Sequence, residues 1–399
     1  MRALYLCYFG LTEPLVSTQV LPYLRELSSK GHKIHLLTFE PQSSPLHNPA
    51  ICAEWQERMN GYGIIWHRSN FHSGNAFTKL ADVAAGAFRI TQLIYAHKIA
   101  VLHARSHMAM AMAMLAKIFS NTKTVFDIRG LQAEEYVDAG VWSAGSLGFR
   151  VVKWLERIGT RQANRIVVLT ERMRPYLNQQ YGIAAEKITV IPCCVDTVKY
   201  AETAKHIQQS ERFTVICAGS VSGLYLLAEM GEFVAALRKL RPDAFFHVLT
   251  TSPAVRATEI LLQAGLPQDS FLIERVPPEN VAKHVARAHI GISFRKPTLS
   301  QIAASPTKIP EYLAAGIPVV SNAGIGDMDE IIEGSRVGVL IRDLSPQGFQ
   351  KAATEMLNLL NDADLRARCQ SIAKNRFDLH AIGGARYAEV YEQLNCNSQ

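Results

Sequence analysis

Apolar residues fall in short β-rich runs separated by stretches with helical spacing. In the first half, runs at 3–7 and 34–38 predict strands. Between them Val20, Leu21, Leu24 and Leu27 share one helical face, and Gly31 stops that helix. Weaker or similar runs at 64–67, 101–104, 124–126, 166–169 and 188–191 predict further strands, with a helix over 107–118. The second half repeats the alternation, with strands at 213–218, 245–250, 271–275, 290–294 and 318–321 and helices such as 226–240 and 280–288. Residues 349–394 read as helical. Strands alternating with helices predict parallel, doubly wound sheets. The polar segment 192–212 separates the halves. The fold class is therefore α/β, with two doubly wound Rossmann-like domains facing across a cleft: 1–195 and 196–376, with a terminal helix over 377–395 packing back on the first.

Ligands of such sheets bind at the carboxyl ends of the strands. The post-strand loops of interest are 10–19, 127–130, 219–223, 274–278, 295–308 and 322–329. Of these, the run SPTKIPEYLAAGIPVVSNAGIGD from Ser305 to Asp327 is the richest in chemistry. Pro306 and Pro310 restrict it, and Glu311 opens a short helix closed by Gly316. Ser305, Thr307 and Lys308 then crowd the start of that helix, which suits a phosphate. A carboxylate at Glu311 can accept two ribose hydroxyls. The competing reading is a capped surface helix.

Composition narrows the setting. The chain has 399 residues, 48% hydrophobic and 19% charged, a globular balance that excludes disordered and collagen-like classes. Its longest charge-free stretch, 213–228, is shorter than the roughly 20 residues of a spanning helix, and the start of the chain lacks a small-residue cleavage site. A cytoplasmic protein is expected. The seven cysteines form no C-x-x-C, which argues against a disulfide framework and a zinc site. Of the net charge of +7, residues 1–195 carry +8 and residues 196–399 carry −1. A basic first half suits an anionic partner. No nucleic-acid motif occurs. Arg150, Lys153, Arg157 and Arg161 recur at helical spacing and suit an anionic membrane, at the inner face of the plasma membrane, or a lipid-linked acceptor.

Together, the Ser305–Asp327 run, the start GLTEPLVSTQVLPYLRELSSKGHKIHLLTFE and the segments VVLTERMRPYL and VIPCCVD resemble family 4 retaining glycosyltransferases of the GT-B fold, in a branch whose motif reads SPTK. The resemblance implies transfer of a sugar from a nucleotide-sugar to a glycan or lipid-linked acceptor in cell-surface polysaccharide assembly. It implies no cofactor beyond the nucleotide-sugar co-substrate and no metal, although Asp327 and Asp329 make a literal D-x-D. The second domain would hold the donor through Gly219, Ser220, Glu274, Arg275, Val276, Arg295, Lys296, Ser305, Thr307, Lys308 and Glu311. The first would hold the acceptor through Thr12, Glu13, Gln19, Arg105, His107 and Glu134. Arg129, Asp127 and Glu135 are the catalytic candidates, with Arg129 stabilising the leaving group.

The sequence departs from the family twice. The first of two motif glutamates is Ala303 here, and residues 219–230 hold no cation where the family places an Arg and a Lys. Arg295, Lys296 and Lys308 are the candidates by topology to take their place; alternatively, a donor with one phosphate would need fewer cations. A nucleotide-sugar epimerase of the same fold and a non-catalytic subunit are the alternative readings.

Overall fold

The computed structural model describes residues 1–72, 74 and 76–396. Six cysteines are free thiols; the side chain of Cys396 lies outside the described residues. Seven strands form the first sheet: β1 (Arg2–Cys7), β2 (Lys33–Glu40), β3 (Ile64–Asn70), β4 (Val101–Arg105), β5 (Lys123–Asp127), β6 (Arg165–Val168) and β7 (Ile188–Val190). Six form the second: β8 (Thr214–Ala218), β9 (Phe245–Leu249), β10 (Phe271–Glu274), β11 (Ile290–Ser293), β12 (Val319–Asn322) and β13 (Gly338–Ile341). The orders are β3-β2-β1-β4-β5-β6-β7 and β10-β9-β8-β11-β12-β13, and every pairing is parallel.

Parallel strands covered by helices on both faces are buried along their length and mostly apolar. The inner strands β4 and β8 are buried at every residue. Each fully buried Val, Leu, Ile or Phe in them stabilises the fold by roughly 1.5–3 kcal/mol. The strand β13 was not anticipated. It is four residues long, and it starts two residues after Arg336, whose backbone is left-handed at φ 51°. That is too short a run for alternation to show.

The chain divides into two units, one of residues 1–137, 142–191 and 383–399, the other of residues 138–141 and 192–382. The expected crossing points, 196 and 377, are shifted. Val195 donates its N–H to Phe377 O and accepts from the Leu379 N–H, so both segments belong to the second unit. The terminal helix Ala385–Cys396 belongs to the first, where the ring of Tyr387 meets Tyr23 edge-on.

Strand order reverses between β1 and β4 and again between β8 and β11. Those two reversals define where ligands meet each sheet. Tyr312 secures the second. Its hydroxyl accepts the Ala218 N–H at 2.8 Å, and its ring lies over Gly291. A Cβ at Gly291 would sit 2.2 Å from the ring. Gly291→Ala should therefore lower stability by about 1–3 kcal/mol in urea titration. An unchanged midpoint would contradict this packing.

Candidate functional site

In the second unit, β8 ends at a turn that requires glycine: Gly219 has φ 108° and donates its N–H to Leu249 O at 2.8 Å. Lys308, the first residue of the helix Lys308–Ala314, reaches this turn. Its side chain is 3% exposed. Nζ lies 3.4 Å from Ser220 O, 3.6 Å from Cys217 Sγ and 4.2 Å from the centre of the Tyr225 ring. The guanidinium of Arg295 lies over the same ring at 4.6 Å, and its Nε donates to Gln301 Oε1 at 2.5 Å. One aromatic ring thus carries two cations. Among the described residues neither forms a salt bridge. A buried ammonium with no carboxylate partner is costly, and an anion at the turn would offset that cost. Arg295 and Lys308 thus stand beside a Gly219 loop that has no cation of its own.

The other expected donor residues are distributed around this pair. Thr307 directly precedes the helix and makes no capping bond. Ser305 Oγ accepts the Cys193 N–H at 3.1 Å, so this hydroxyl also secures the segment after β7. Lys296 is tied in by its backbone, which donates to Leu224 O. The helix begins at Lys308, earlier than expected, which places Glu311 within its first turn. Tyr200 hydrogen-bonds the Glu311 carboxyl. Burial pushes that carboxyl up to about 7, against smaller opposing effects of Tyr200, Lys308 and Lys199. Ala303 is buried at 2% exposure, where a glutamate would lie within the packing. Arg275 is exposed and Val276 packs on the core. The Glu274 side chain is turned to His247. The D-x-D reads as a structural turn: both oxygens of Asp329 accept the Gly324 N–H, at 2.9 and 3.1 Å. A cavity of about 390 Å³ opens beside the Gly219 loop, lined by Val221, Gly223, Tyr225 and Glu229 among others. A larger one of about 700 Å³ in the first unit lies at the amino ends of β4 and β5, the wrong ends for a ligand site.

In the first unit, the buried Glu40 holds the loop after β1. Its carboxylate accepts the Leu11 N–H at 2.9 Å and the hydroxyls of Thr38 and Ser44. A Cβ at Gly10 would approach this carboxylate to 2.8 Å. Thr12 and Glu13 follow at the surface, and Gln19 is buried with an unpartnered Oε1. At the end of β4, Arg105 is 3% exposed with an unpartnered Nε, and Ser106 is forced to φ 72°. Strain of this kind is sustained only by surrounding structure.

Three expected roles are corrected here. Asp127 has no exposed surface. It accepts from Tyr387 Oη at 2.9 Å and lies 3.5 Å from Arg129 Nη1. Burial alone would raise its carboxyl, but Arg129, His103 and Arg105 hold it well below the usual range. It lies against Arg129 and has no exposed surface to offer a substrate in this structure. His107 is also buried, with Nε2 3.1 Å from Glu156. Glu134 joins the same network through Lys153, at 2.8 Å, and Lys153 in turn meets Glu156 at 2.6 Å. Lys153 therefore faces inward, so the exposed cations of the helix Leu147–Gln162 are Arg150, Arg157 and Arg161. The Glu135 carboxyl folds over Gly130, and Arg129 is partly exposed.

Sequence reasoning missed Tyr225, Tyr200, Glu40 and Glu156. Each meets at least one partner distant in sequence, Lys308, Glu311, Leu11 and His107 in turn, which local spacing does not show. Arg295, Lys296 and Lys308 were already the candidate cations near the cation-free loop; the Tyr225 ring that two of them share was not visible.

Residues 16–199 match the family model Glycosyltransferase Family 4, and residues 212–359 match Glycosyl transferases group 1. Both units being matched, the chain belongs to the GT-B glycosyltransferases. No curated protein matches the sequence. Among solved structures, the fold is similar to sucrose-phosphate synthase of Thermosynechococcus elongatus, at 13% identity and TM-score 0.73, covering 99% of each chain. It is similar to Anabaena HepE in complex with UDP and glucose, at 16% identity and TM-score 0.70, covering 98% of this chain and 99% of that one. It is also similar to WaaG, a glycosyltransferase involved in lipopolysaccharide biosynthesis, at 14% identity and TM-score 0.68, covering 97% and 99%. No helix among the described residues is long and apolar enough to cross a membrane.

The raised Glu311 carboxyl has a signed consequence. The folded state holds this proton more tightly than the unfolded chain, whose value is 4.5. The associated stability is present below pH 4.5 and is lost as pH rises through about 7. Glu311→Gln should thus gain on the order of 1–3 kcal/mol at pH 8 relative to pH 5. Calorimetric melting of both proteins at the two pH values checks this; an equal effect at both would refute it.

Proposed function

We propose that this protein transfers a sugar from a nucleoside-diphosphate sugar to a glycan or lipid-linked acceptor, with retention at the anomeric carbon. The observation that carries the proposal is the buried Lys308 ammonium at the Gly219 turn, sharing the Tyr225 ring with Arg295. A diphosphate has the charge to engage both cations. Glu311 takes the ribose hydroxyls, and the segment after β10 meets the base. HepE, whose structure holds UDP and glucose, supports this class of donor.

In the first unit, Gln19 Oε1 and Arg105 Nε are buried without partners near the carboxyl ends of β1 and β4, and each gains a hydrogen bond from an acceptor hydroxyl. Arg129, held by Asp127, stabilises negative charge on the leaving group. With Asp127 and His107 both buried, a leaving phosphate oxygen is the natural receiver of the acceptor proton. Catalysis then rests on positioning and on cationic stabilisation, without a metal. Arg150, Arg157 and Arg161 lie on the same helix as exposed Leu147, Val151 and Trp154. That combination supports docking on an anionic membrane, and WaaG supports a surface-glycan setting.

Thermal shift against UDP, GDP, ADP, dTDP and CMP tests the reading. One diphosphate should raise the melting temperature by several degrees at saturation. Lys308→Ala and Glu311→Ala should each weaken its binding by about 10- to 100-fold, as expected for charge-assisted hydrogen bonds. Unchanged affinity in both variants would remove the site assignment.

A further inference from the structure

We propose that His247, Glu274 and His284 form a binding site for a divalent transition metal, with zinc the preferred ion. The ligands come from three elements of the second unit: β9, the end of β10, and the helix Pro278–Arg287. His247 Nε2 lies 2.6 Å from Glu274 Oε1, and His284 Nδ1 lies 3.5 Å from the same oxygen. The candidate ligand atoms all fall within 4.8 Å of one another. Tetrahedral zinc, with bonds of about 2.0–2.2 Å, sets ligand atoms roughly 3.3 Å apart. A small opening of the His247–Glu274 contact and a small closing elsewhere would therefore admit the ion. Two imidazoles and one carboxylate supply a set that zinc accepts, and a water completes the fourth position.

Charge and access favour this cluster. The carboxylate offsets part of the ion's charge. The side chains of Glu274 and His284 are 33% and 24% exposed, which leaves an entry path. A second cluster of three histidines, His35, His67 and His97, lies in the first unit. There Arg2 acts on His35 and Arg89 acts on His67, and both oppose a divalent cation. At His247 the acting charged groups are Glu274 and His284 themselves.

The site has a structural consequence. An ion bridging Glu274 and His284 would fix both ends of the connection through residues 275–277, between β10 and the following helix. The proposal rests on the ligand geometry and does not require the transferase reading.

Zinc titration of the full chain against a chromophoric chelator tests it. Wild type should bind one equivalent saturably. Glu274→Gln and His284→Ala should each weaken binding at least about tenfold, no less than the loss seen when supporting residues of metal sites are removed. His67→Ala should leave binding unchanged. Cobalt(II) added to wild type should give the visible absorption of a four- or five-coordinate site, a readout that does not depend on any variant folding. No saturable binding by wild type, binding kept by both variants, or a cobalt spectrum of the hexaaqua ion would overturn the proposal.

Discussion

The Lys308 ammonium is held out of water beside the Gly219 turn with a carbonyl, a thiol and an aromatic face as its partners. None of these carries a full negative charge. Much of the second unit is arranged to keep it there. β8 must end in a glycine so that the turn can form, and Tyr312 must hold the Ala218 N–H so that β8 ends where it does. Tyr225 must present one ring to two cations. A cation so placed is stabilised by an anion arriving at the end of the sheet, which is where doubly wound folds receive ligands.

The first unit handles charge in the opposite way. Its carboxylates are buried and compensated: Asp127 by Tyr387 and Arg129, Glu156 by Lys153 and His107, Glu40 by backbone and hydroxyl donors. These networks fix loops and helices, and they leave Arg105 Nε and Gln19 Oε1 among the buried polar atoms without a partner. His107 and Glu134 are tied into one of these networks through Glu156 and Lys153.

Much of the fold was legible because buried parallel strands are mostly apolar, as in Val215, Ile216 and Cys217. The short edge strand β13 was not, because four residues carry no periodicity. In the site, Lys308 and Glu311 were legible through their motif. Tyr225 and Tyr200 were not, because each meets its partner only after the chain has folded. Lys153 misled because spacing on a helix gives its face but not what packs against that face; Glu134, Glu156 and Tyr176 turn it inward.

The most direct test compares each nucleoside diphosphate with its monophosphate by titration calorimetry, on wild type and Lys308→Ala. If Lys308 and Arg295 grip a second phosphate, one diphosphate will bind wild type at least about tenfold more tightly than its monophosphate. That preference will collapse in the variant. Equal binding of the two nucleotides by wild type, or binding of CMP alone, would contradict the account.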